Sequence, residues 1–331
     1  MASRADARWM AAALALAERG RGRTAPNPNV GCLIVKDRRV IGRGWTQPGG
    51  RPHAEAMALA AAGDAARGAS CYVTLEPCAH ASPRGPACAD LLTAAGVARV
   101  VIGLRDPDSR TDGLGAEQLR GAGVEVAMGV AEVAARRSMA GFITRRALGR
   151  PSVTLKLAMS LDGAVAMANG SSKWITGPEA RAHAHLERAR HEAILVGRGT
   201  WQADAPVLDV RLAGFEERSP RRILLSRSAR PDGWETVATP SDIATLVDID
   251  YLLVEGGVQT AAAFLSADLV DRLLLYRAPI LVGDGLTLPD IGLADLAAAH
   301  GQWRLHDSRM LGSDQLQVYE RHGRQRDREL V

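Results

Sequence analysis

Short apolar runs alternate with Ala-rich helical stretches along this chain, and the pattern occurs twice in succession. Such alternation restricts a chain to α/β layers, with helices covering sheets. In the first half, strands are predicted at Gly31–Lys36, Val40–Trp45, Cys71–Leu75, Val97–Leu104 and Val124–Met128. A tight Asp37-Arg38-Arg39 turn joins the first two strands. Helices are predicted over residues 4–19, His53–Ala62, Ala87–Ala95, Leu114–Ala122 and Val130–Arg146. Gly63 and Gly96 act as stops. The basic stretch Thr144–Pro151 ends in Gly-Arg-Pro and is the best boundary. A second pattern follows, with strands at Ser152–Met159, Ala193–Val196, Arg222–Ser226, Tyr251–Val254 and Arg272–Ala278. Its helices are Pro178–Arg190 and Gln259–Leu265, and short strands Trp303–Leu305 and Gln315–Tyr319 close it. The charged tail Arg321–Val331 reads as frayed. At roughly 150 residues per domain, 331 residues fit two domains, 1–147 and 148–331.

Composition removes several classes. Hydrophobic residues make up 47% and charged residues 24%, which excludes a disordered chain. Aromatics are only 4%, so a stacking platform for single-stranded nucleic acid is not expected. The net charge of +4 is carried by arginine, with lysine only at Lys36, Lys156 and Lys173. A GC-rich genome that spells basic residues as arginine is the plain reading; a pocket for a phosphorylated small molecule is compatible with it, and the interspersed acidic residues argue against a nucleic-acid surface. No apolar run approaches the roughly 18 residues of a membrane span. The apolar stretch Trp9–Ala17 is flanked by Asp6 and Glu18 and reads as a first helix, not a leader. Four cysteines, Cys32, Cys71, Cys78 and Cys88, are too few for a disulfide scaffold in so long a chain. A reducing compartment, the cytoplasm, is therefore expected.

The chemistry concentrates in His53-Ala54-Glu55, Glu76-Pro77-Cys78 and Cys88. One imidazole and two thiolates are a natural donor set for zinc, and three protein donors leave one position for water. Glu55 follows the histidine by two residues at a helix start. That spacing sets its carboxylate beside the open position, where it can move protons to a leaving amine. His-x-Glu with a later Pro-Cys and Cys is the signature of zinc-dependent nucleobase deaminases. A closed structural site with His80 as fourth ligand, or no metal at all, are the competing readings. Cys32 and Cys71 read as buried thiols.

Residues 1–150 also carry Gly22-Arg23-Thr24-Ala25-Pro26-Asn27-Pro28-Asn29-Val30-Gly31-Cys32, Pro52-His53-Ala54-Glu55 and Tyr72-Val73-Thr74-Leu75-Glu76-Pro77-Cys78-Ala79-His80. Ala95-Gly96-Val97 and Asp106-Pro107-Asp108 complete the set. With these, the half resembles the deaminase part of the bifunctional deaminase–reductases of riboflavin biosynthesis. The resemblance implies a cytidine-deaminase-like three-layer α/β/α domain, with Asn27 and Asn29 as candidate partners of a pyrimidine; a rigid turn is the other reading of that run. The loop from Cys78 to Cys88 is one residue longer than the family's, and Asp108 stands where the family often has Asn.

The second half lacks a Gly-x-Gly-x-x-Gly fingerprint. Glu255-Gly256-Gly257, between the strand Tyr251–Val254 and a helix, could cradle a phosphate, as could Val196-Gly197-Arg198-Gly199-Thr200. His183, His185 and His191 read as solvated helix residues. Thr154–Gly163, Ser171–Gly177, Ala193–Thr200 and Ala203–Leu208 resemble the reductase part of the same enzymes, a dihydrofolate-reductase-like α/β fold. The resemblance implies that Ala158, Trp174, Thr200, Asp204, Gly256 and Gly257 contact NADPH. It likewise implies that Ser172, Arg188, Leu208, Arg211 and Glu255 hold substrate, the two arginines as forks for its phosphate. Ala205 replaces an Asp common in the family, and the segment between Arg230 and Tyr251 is abbreviated. The expected function is zinc-dependent deamination of a phosphoribosylated diaminopyrimidine, then NADPH-dependent reduction of the ribosyl group. The alternatives are a nucleic-acid or free-base deaminase with a degenerate second half, and a binding protein with structural zinc. Family habit and the apolar strand Arg272–Pro279, placed near a sheet edge, suggest a homodimer.

Overall fold

The computed structural model of the chain describes residues 3–80, 82 and 84–322. The tail read as frayed lies outside the described residues from 323 onward. The chain divides into two compact units, Met1–Leu148 and Gly149–Val331. No helix among the described residues is long and apolar enough to cross a membrane.

In the first unit, β1 (Gly31–Lys36), β2 (Arg39–Trp45), β3 (Ser70–Leu75), β4 (Arg99–Leu104) and β5 (Glu125–Ala127) form one sheet, ordered β2-β1-β3-β4-β5. β1 runs antiparallel to β2 and β3, while β3, β4 and β5 are parallel. The β1–β2 turn forces Asp37 and Arg38 to positive φ, 49° and 60°, the pair of left-handed residues that a two-residue hairpin needs. Alternate side chains of each strand face opposite layers. Leu33, Val35, Tyr72 and Val101 pack with Met10 and Ala13 of α1 (Arg4–Ala17). Cys32, Ile34, Cys71 and Val73 pack with α2 (Ala54–Ala62), α3 (Cys88–Ala94) and α4 (Leu114–Gly121). This is the expected three-layer α/β/α domain. The single helix expected over Val130–Arg146 is two, α5 (Glu132–Ser138) and α6 (Ala140–Leu148). They break at Met139, whose φ of −105° and ψ of 21° leave the helical region while its side chain stays in the core.

α2 rests on β2 backbone to backbone. A Cβ at Gly42 would lie 2.1 Å from the Ala58 carbonyl oxygen, and one at Gly44 2.0 Å from that of Ala54. Only glycine allows this approach, and it sets where the first turn of α2 points.

The second unit contains β6 (Ser152–Met159), β7 (Ala166–Met167), α7 (Pro178–Arg188), β8 (Ala193–Gly197), α8 (Arg198–Asp204), β9 (Arg221–Leu225) and β10 (Glu235–Val237). β11 (Tyr251–Val254), α9 (Val258–Ser266), β12 (Arg272–Arg277), β13 (Gly285–Leu286), β14 (Trp303–Leu311) and β15 (Asp314–Arg321) follow. Eight strands form one sheet, ordered β10-β9-β8-β11-β6-β12-β15-β14, and β7 pairs with β13 apart from it. The six strands from β10 to β12 are parallel, and β15 and β14 are antiparallel additions. Such a mixed sheet matches the expected dihydrofolate-reductase-like class. β12 lies inside the sheet, between β6 and β15, so the edge placement behind the homodimer expectation is corrected. Its register on both neighbours runs over its full length, which is why it is apolar.

Asp6 anchors the first unit. It closes a capping box with Ser3, accepts the Tyr72 hydroxyl at 3.1 Å, and takes two Arg99 nitrogens at 2.7 and 3.2 Å. Arg99 holds this carboxyl well below the usual carboxylate range. Asp6→Asn is expected to cost about 1–3 kcal/mol at neutral pH, measured by urea unfolding. Because the folded-state pKa is depressed, the contribution is complete above the unfolded value of about 3.9 and fades as pH falls below it. The difference between wild type and variant should therefore shrink on acidification below about pH 4. A difference that stays constant there would contradict the role given to Asp6.

Candidate active sites

In the first unit three elements converge. His53 is the N-cap of α2, and its side chain makes no capping bond, so the ring is free to turn inward. Cys78 follows the end of β3, and Cys88 opens α3. The ligand atoms of His53, Cys78 and Cys88 all lie within 4.8 Å of one another. His53 Nδ1 is 3.3 Å from Cys88 Sγ and 3.8 Å from Cys78 Sγ. Zinc–nitrogen and zinc–sulfur bonds at a tetrahedral angle span about 3.6 Å between donors, so the set fits zinc. The Cys88 amide donates to Cys78 Sγ at 3.3 Å. The Cys88 thiol and His53 push the Cys78 thiol toward the thiolate, while Cys78 and burial push Cys88 the other way. His80 stands outside this group of three, which the open-site reading requires and the closed one does not.

Glu55 sits in the first turn of α2 with only 4% of its surface exposed. Burial raises its pKa, and its ionisable neighbours are His53, Cys78 and Cys88. Asn27 faces the other side of the imidazole, its amide 3.2 Å from His53 Nε2 and donating to the Gly50 carbonyl at 2.8 Å. A partner on the second ring nitrogen fixes how a metal-binding histidine is aimed. Glu76 accepts the backbone N–H groups of Asp106, Gly113 and Ala116 at 3.0–3.2 Å, tying the turn before Cys78 to the loop after β4. Asn29 is placed differently from the expected pyrimidine contact. It is buried, and its amide donates to the Ser138 carbonyl at 3.2 Å, bracing the chain between helices.

In the second unit a cleft of about 1020 Å³ opens at the ends of the central strands. Ala158, Trp174, Thr200, Asp204, Gly256 and Gly257 all line it. So do Ser172, Arg188, Arg211 and Glu255, but not Leu208, which packs in the core with Ile194, Val196 and Leu253. Thr200 Oγ1 accepts the Gly257 N–H at 3.0 Å, joining the two glycine turns. A Cβ on Gly256 would lie 2.5 Å from Thr260 Cβ, so the turn closes against α9 only with glycine there. The glycine cradle at the start of α9 and the cleft's size suit a dinucleotide.

Arg188 and Glu255 form a buried bidentate pair, with both contacts at 2.9 Å, and the Arg188 Nη1 donates to the Asp209 carbonyl at 3.0 Å. The guanidinium is therefore already engaged, which corrects its reading as an open phosphate fork. Burial alone would raise the Glu255 pKa, but Arg188 and Lys156 outweigh it and hold the carboxyl at about 2. Arg211 keeps 64% of its side chain exposed beside Asp209. Lys173 reaches Asp204 at 3.5 Å.

The three helix histidines are corrected too. His191 is 1% exposed and bonded to Thr154 Oγ1 at 3.0 Å. His183 meets the Tyr276 hydroxyl at 2.7 Å, and His185 receives the Arg211 N–H at 3.2 Å within the cleft. His183 and His185 are two residues apart on α7 and His191 follows its end, so helical periodicity gave no signal for their partners. Two further groups were given no role by the sequence reading. Arg51 lines the first site, and its position just before Pro52-His53 was the available signal. Asp106, raised to about 7 by burial with help from Asp108 and Glu76, donates its N–H to Glu76, two residues before Cys78.

Comparison with known proteins follows the same division. The cytidine and deoxycytidylate deaminase zinc-binding region matches residues 3–104, and the RibD C-terminal domain matches residues 151–316. Riboflavin biosynthesis protein RibD of Escherichia coli is 40% identical over 361 aligned residues, covering 93% of this chain and 97% of its own. That of Aquifex aeolicus is 37% identical, covering 88% and 92%. The structure of Acinetobacter baumannii RibD superposes with a TM-score of 0.87 at 36% identity, covering 96% and 99%. A diaminohydroxyphosphoribosylaminopyrimidine deaminase/5-amino-6-(5-phosphoribosylamino)uracil reductase from Thermotoga maritima gives 0.84 at 34%, with the same coverage. With both halves matched in order and nearly the whole length covered, the chain belongs to the RibD family of bifunctional deaminase–reductases of riboflavin biosynthesis.

Proposed function

We propose that residues 1–147 deaminate 2,5-diamino-6-(5-phosphoribosylamino)pyrimidin-4-one, and that residues 148–331 reduce the ribosyl chain of the product to ribityl with NADPH. The observation that carries the first half is the cluster of His53, Cys78 and Cys88 with the Glu55 carboxyl buried against it. The name of the Thermotoga maritima relative joins the same two reactions. Four free thiols suit the cytoplasm as compartment.

A zinc ion held by His53, Cys78 and Cys88 supplies a Lewis acid that brings the ionisation of water close to neutral pH. Glu55 carries the proton from the attacking water to the departing amine. Burial raises its pKa and so favours uptake of that proton, as a proton shuttle needs. Asn27 keeps the His53 ring aimed, and the Glu76 bonds hold the cysteine turn in place. Ammonia leaves, and a carbonyl replaces the amine on the ring.

In the second unit NADPH supplies the hydride. The Gly256-Gly257 turn and Thr200 would hold its phosphates, and Ala158, Trp174 and Asp204 line the same cleft and would contact it. Ser172 and Glu255 orient the sugar. Glu255, kept ionised by Arg188, accepts hydrogen bonds from ribose hydroxyls and fixes the reacting carbon against the nicotinamide. Arg211 takes the 5-phosphate. Asn29 and Leu208 support the two sites from behind.

Protein purified without chelator should carry about one zinc per chain by elemental analysis, and Cys88→Ser should lose most of it. Ammonia release and NADPH consumption followed together on the diaminopyrimidine ribosyl phosphate test the whole sequence. Glu55→Gln should slow ammonia release about 10²–10⁴-fold while zinc is retained. Near-normal release by that variant would refute the shuttle. Ammonia without NADPH loss would refute the second half of the proposal. Gly256→Ala should weaken NADPH binding about tenfold or more in a fluorescence titration, because the added methyl must displace Thr260.

A further inference from the structure

One wall of the second unit's cleft is a length of chain that its own secondary structure does not hold. Residues 160–177 run between β6 and α7, and their one regular element is the two-residue strand β7. Much of this strap lines the cleft, from Val165 and Ala166 to Ser172, Trp174 and Thr176. Its ends are fastened by carboxylates. Near the start, Asp162 accepts the Ser160 hydroxyl and reaches the loop after β12, where it takes the Gly283 N–H at 2.7 Å and the Val282 N–H at 3.2 Å. The Ser160 hydroxyl and these N–H groups hold its pKa at about 2, so it is ionised at neutral pH. Beside it the same two segments are joined by the Leu161 N–H to the Ile280 carbonyl at 2.9 Å and the Val165 N–H to the Leu286 carbonyl at 2.8 Å. At the far end the buried Asp314, first residue of β15, accepts the Gly177 N–H at 2.6 Å just before α7 begins. In the middle Lys173 reaches Asp204 of α8 at 3.5 Å, with both side chains exposed, and such a pair contributes little. The path of the strap therefore depends on its ends, where charge-assisted bonds to backbone N–H groups are the stronger kind.

We propose that Asp162 is a positioning residue for the reductase reaction, pinning the strap so that Ser172 and Trp174 stand in place at the cleft before a ligand enters. This rests on the second unit being an NADPH-dependent reductase. Asp162 is not among the residues that line the cleft, so it acts through the strap. A strap released at its start samples many paths, and binding must first select the competent one. Apparent affinity falls by the competent fraction, while the complex, once formed, turns over as before. The expected signature is a rise in KM with kcat kept. Loss of a merely structural contact gives the reverse, with fewer folded chains and a lower apparent kcat at unchanged KM.

The test follows NADPH consumption by the full chain on 5-amino-6-(5-phosphoribosylamino)uracil, so that the first unit's reaction does not enter. Asp162→Ala is the first variant, because the residue is exposed and its truncation leaves no cavity. KM for NADPH should rise about tenfold, with kcat within about twofold of wild type. Asp162→Asn should recover part of the loss, since its amide oxygen still accepts an N–H. KM within about twofold of wild type in Asp162→Ala overturns the proposal, and so does a lower kcat at unchanged KM. Wild type that consumes no NADPH on this compound overturns the reductase reading itself, and the pin with it.

Discussion

The close seating of α2 on β2 is the contact on which the first active site depends. At Gly42 and Gly44 the missing side chains let helix and strand backbones meet, and a single methyl would push the helix off by more than an ångström. The first turn of α2 carries both His53 and Glu55. A helix displaced outward would carry the imidazole away from Cys78 and Cys88, whose positions are set separately by the end of β3 and the start of α3. The donor set is thus assembled by three independent elements held by one sheet. Its geometry is only as good as their packing on that sheet.

The second unit solves its binding problem with backbone. Its cleft uses two glycine turns, at Gly197 and at Gly256-Gly257, that leave parallel strands and enter helices. Thr260 and Thr200 close the turns from one side, so the cradle is shaped by packing and offers N–H groups to an anion. Charge enters through a buried ion pair, Arg188–Glu255, which orients a carboxylate that is ionised at neutral pH. Breaking such a pair strands a charge in a poor solvent, so both members are bound to their places.

Much of this was readable beforehand. Strands with a continuous apolar signal, such as Gly31–Lys36, Ser152–Met159 and Tyr251–Val254, lie where periodicity set them. Elements without an apolar face were not readable. α8 buries none of its residues, and β14 was expected only at Trp303–Leu305 although it extends to Leu311. Both are held by neighbours, β14 by its ladder with β15, and such pairing leaves no hydrophobic pattern in the strand itself. The break at Met139 is likewise invisible to periodicity, because apolar spacing continues across it.

By itself the sequence determined the chemistry of the donors: an imidazole, two thiols and an adjacent carboxylate, in an order that few other functions use. It also determined the two-unit α/β plan, because alternating strand and helix signals can be satisfied only by layers around sheets. Tertiary structure decided which polar residues remain available. Asn29 and His191 are consumed by buried hydrogen bonds, Arg188 by Glu255, and Leu208 by the core, whereas Arg51 meets no acceptor among the described residues at a pocket mouth. The physical reason is that a polar side chain's role follows from the partners it meets, and those partners lie tens of residues away along the chain.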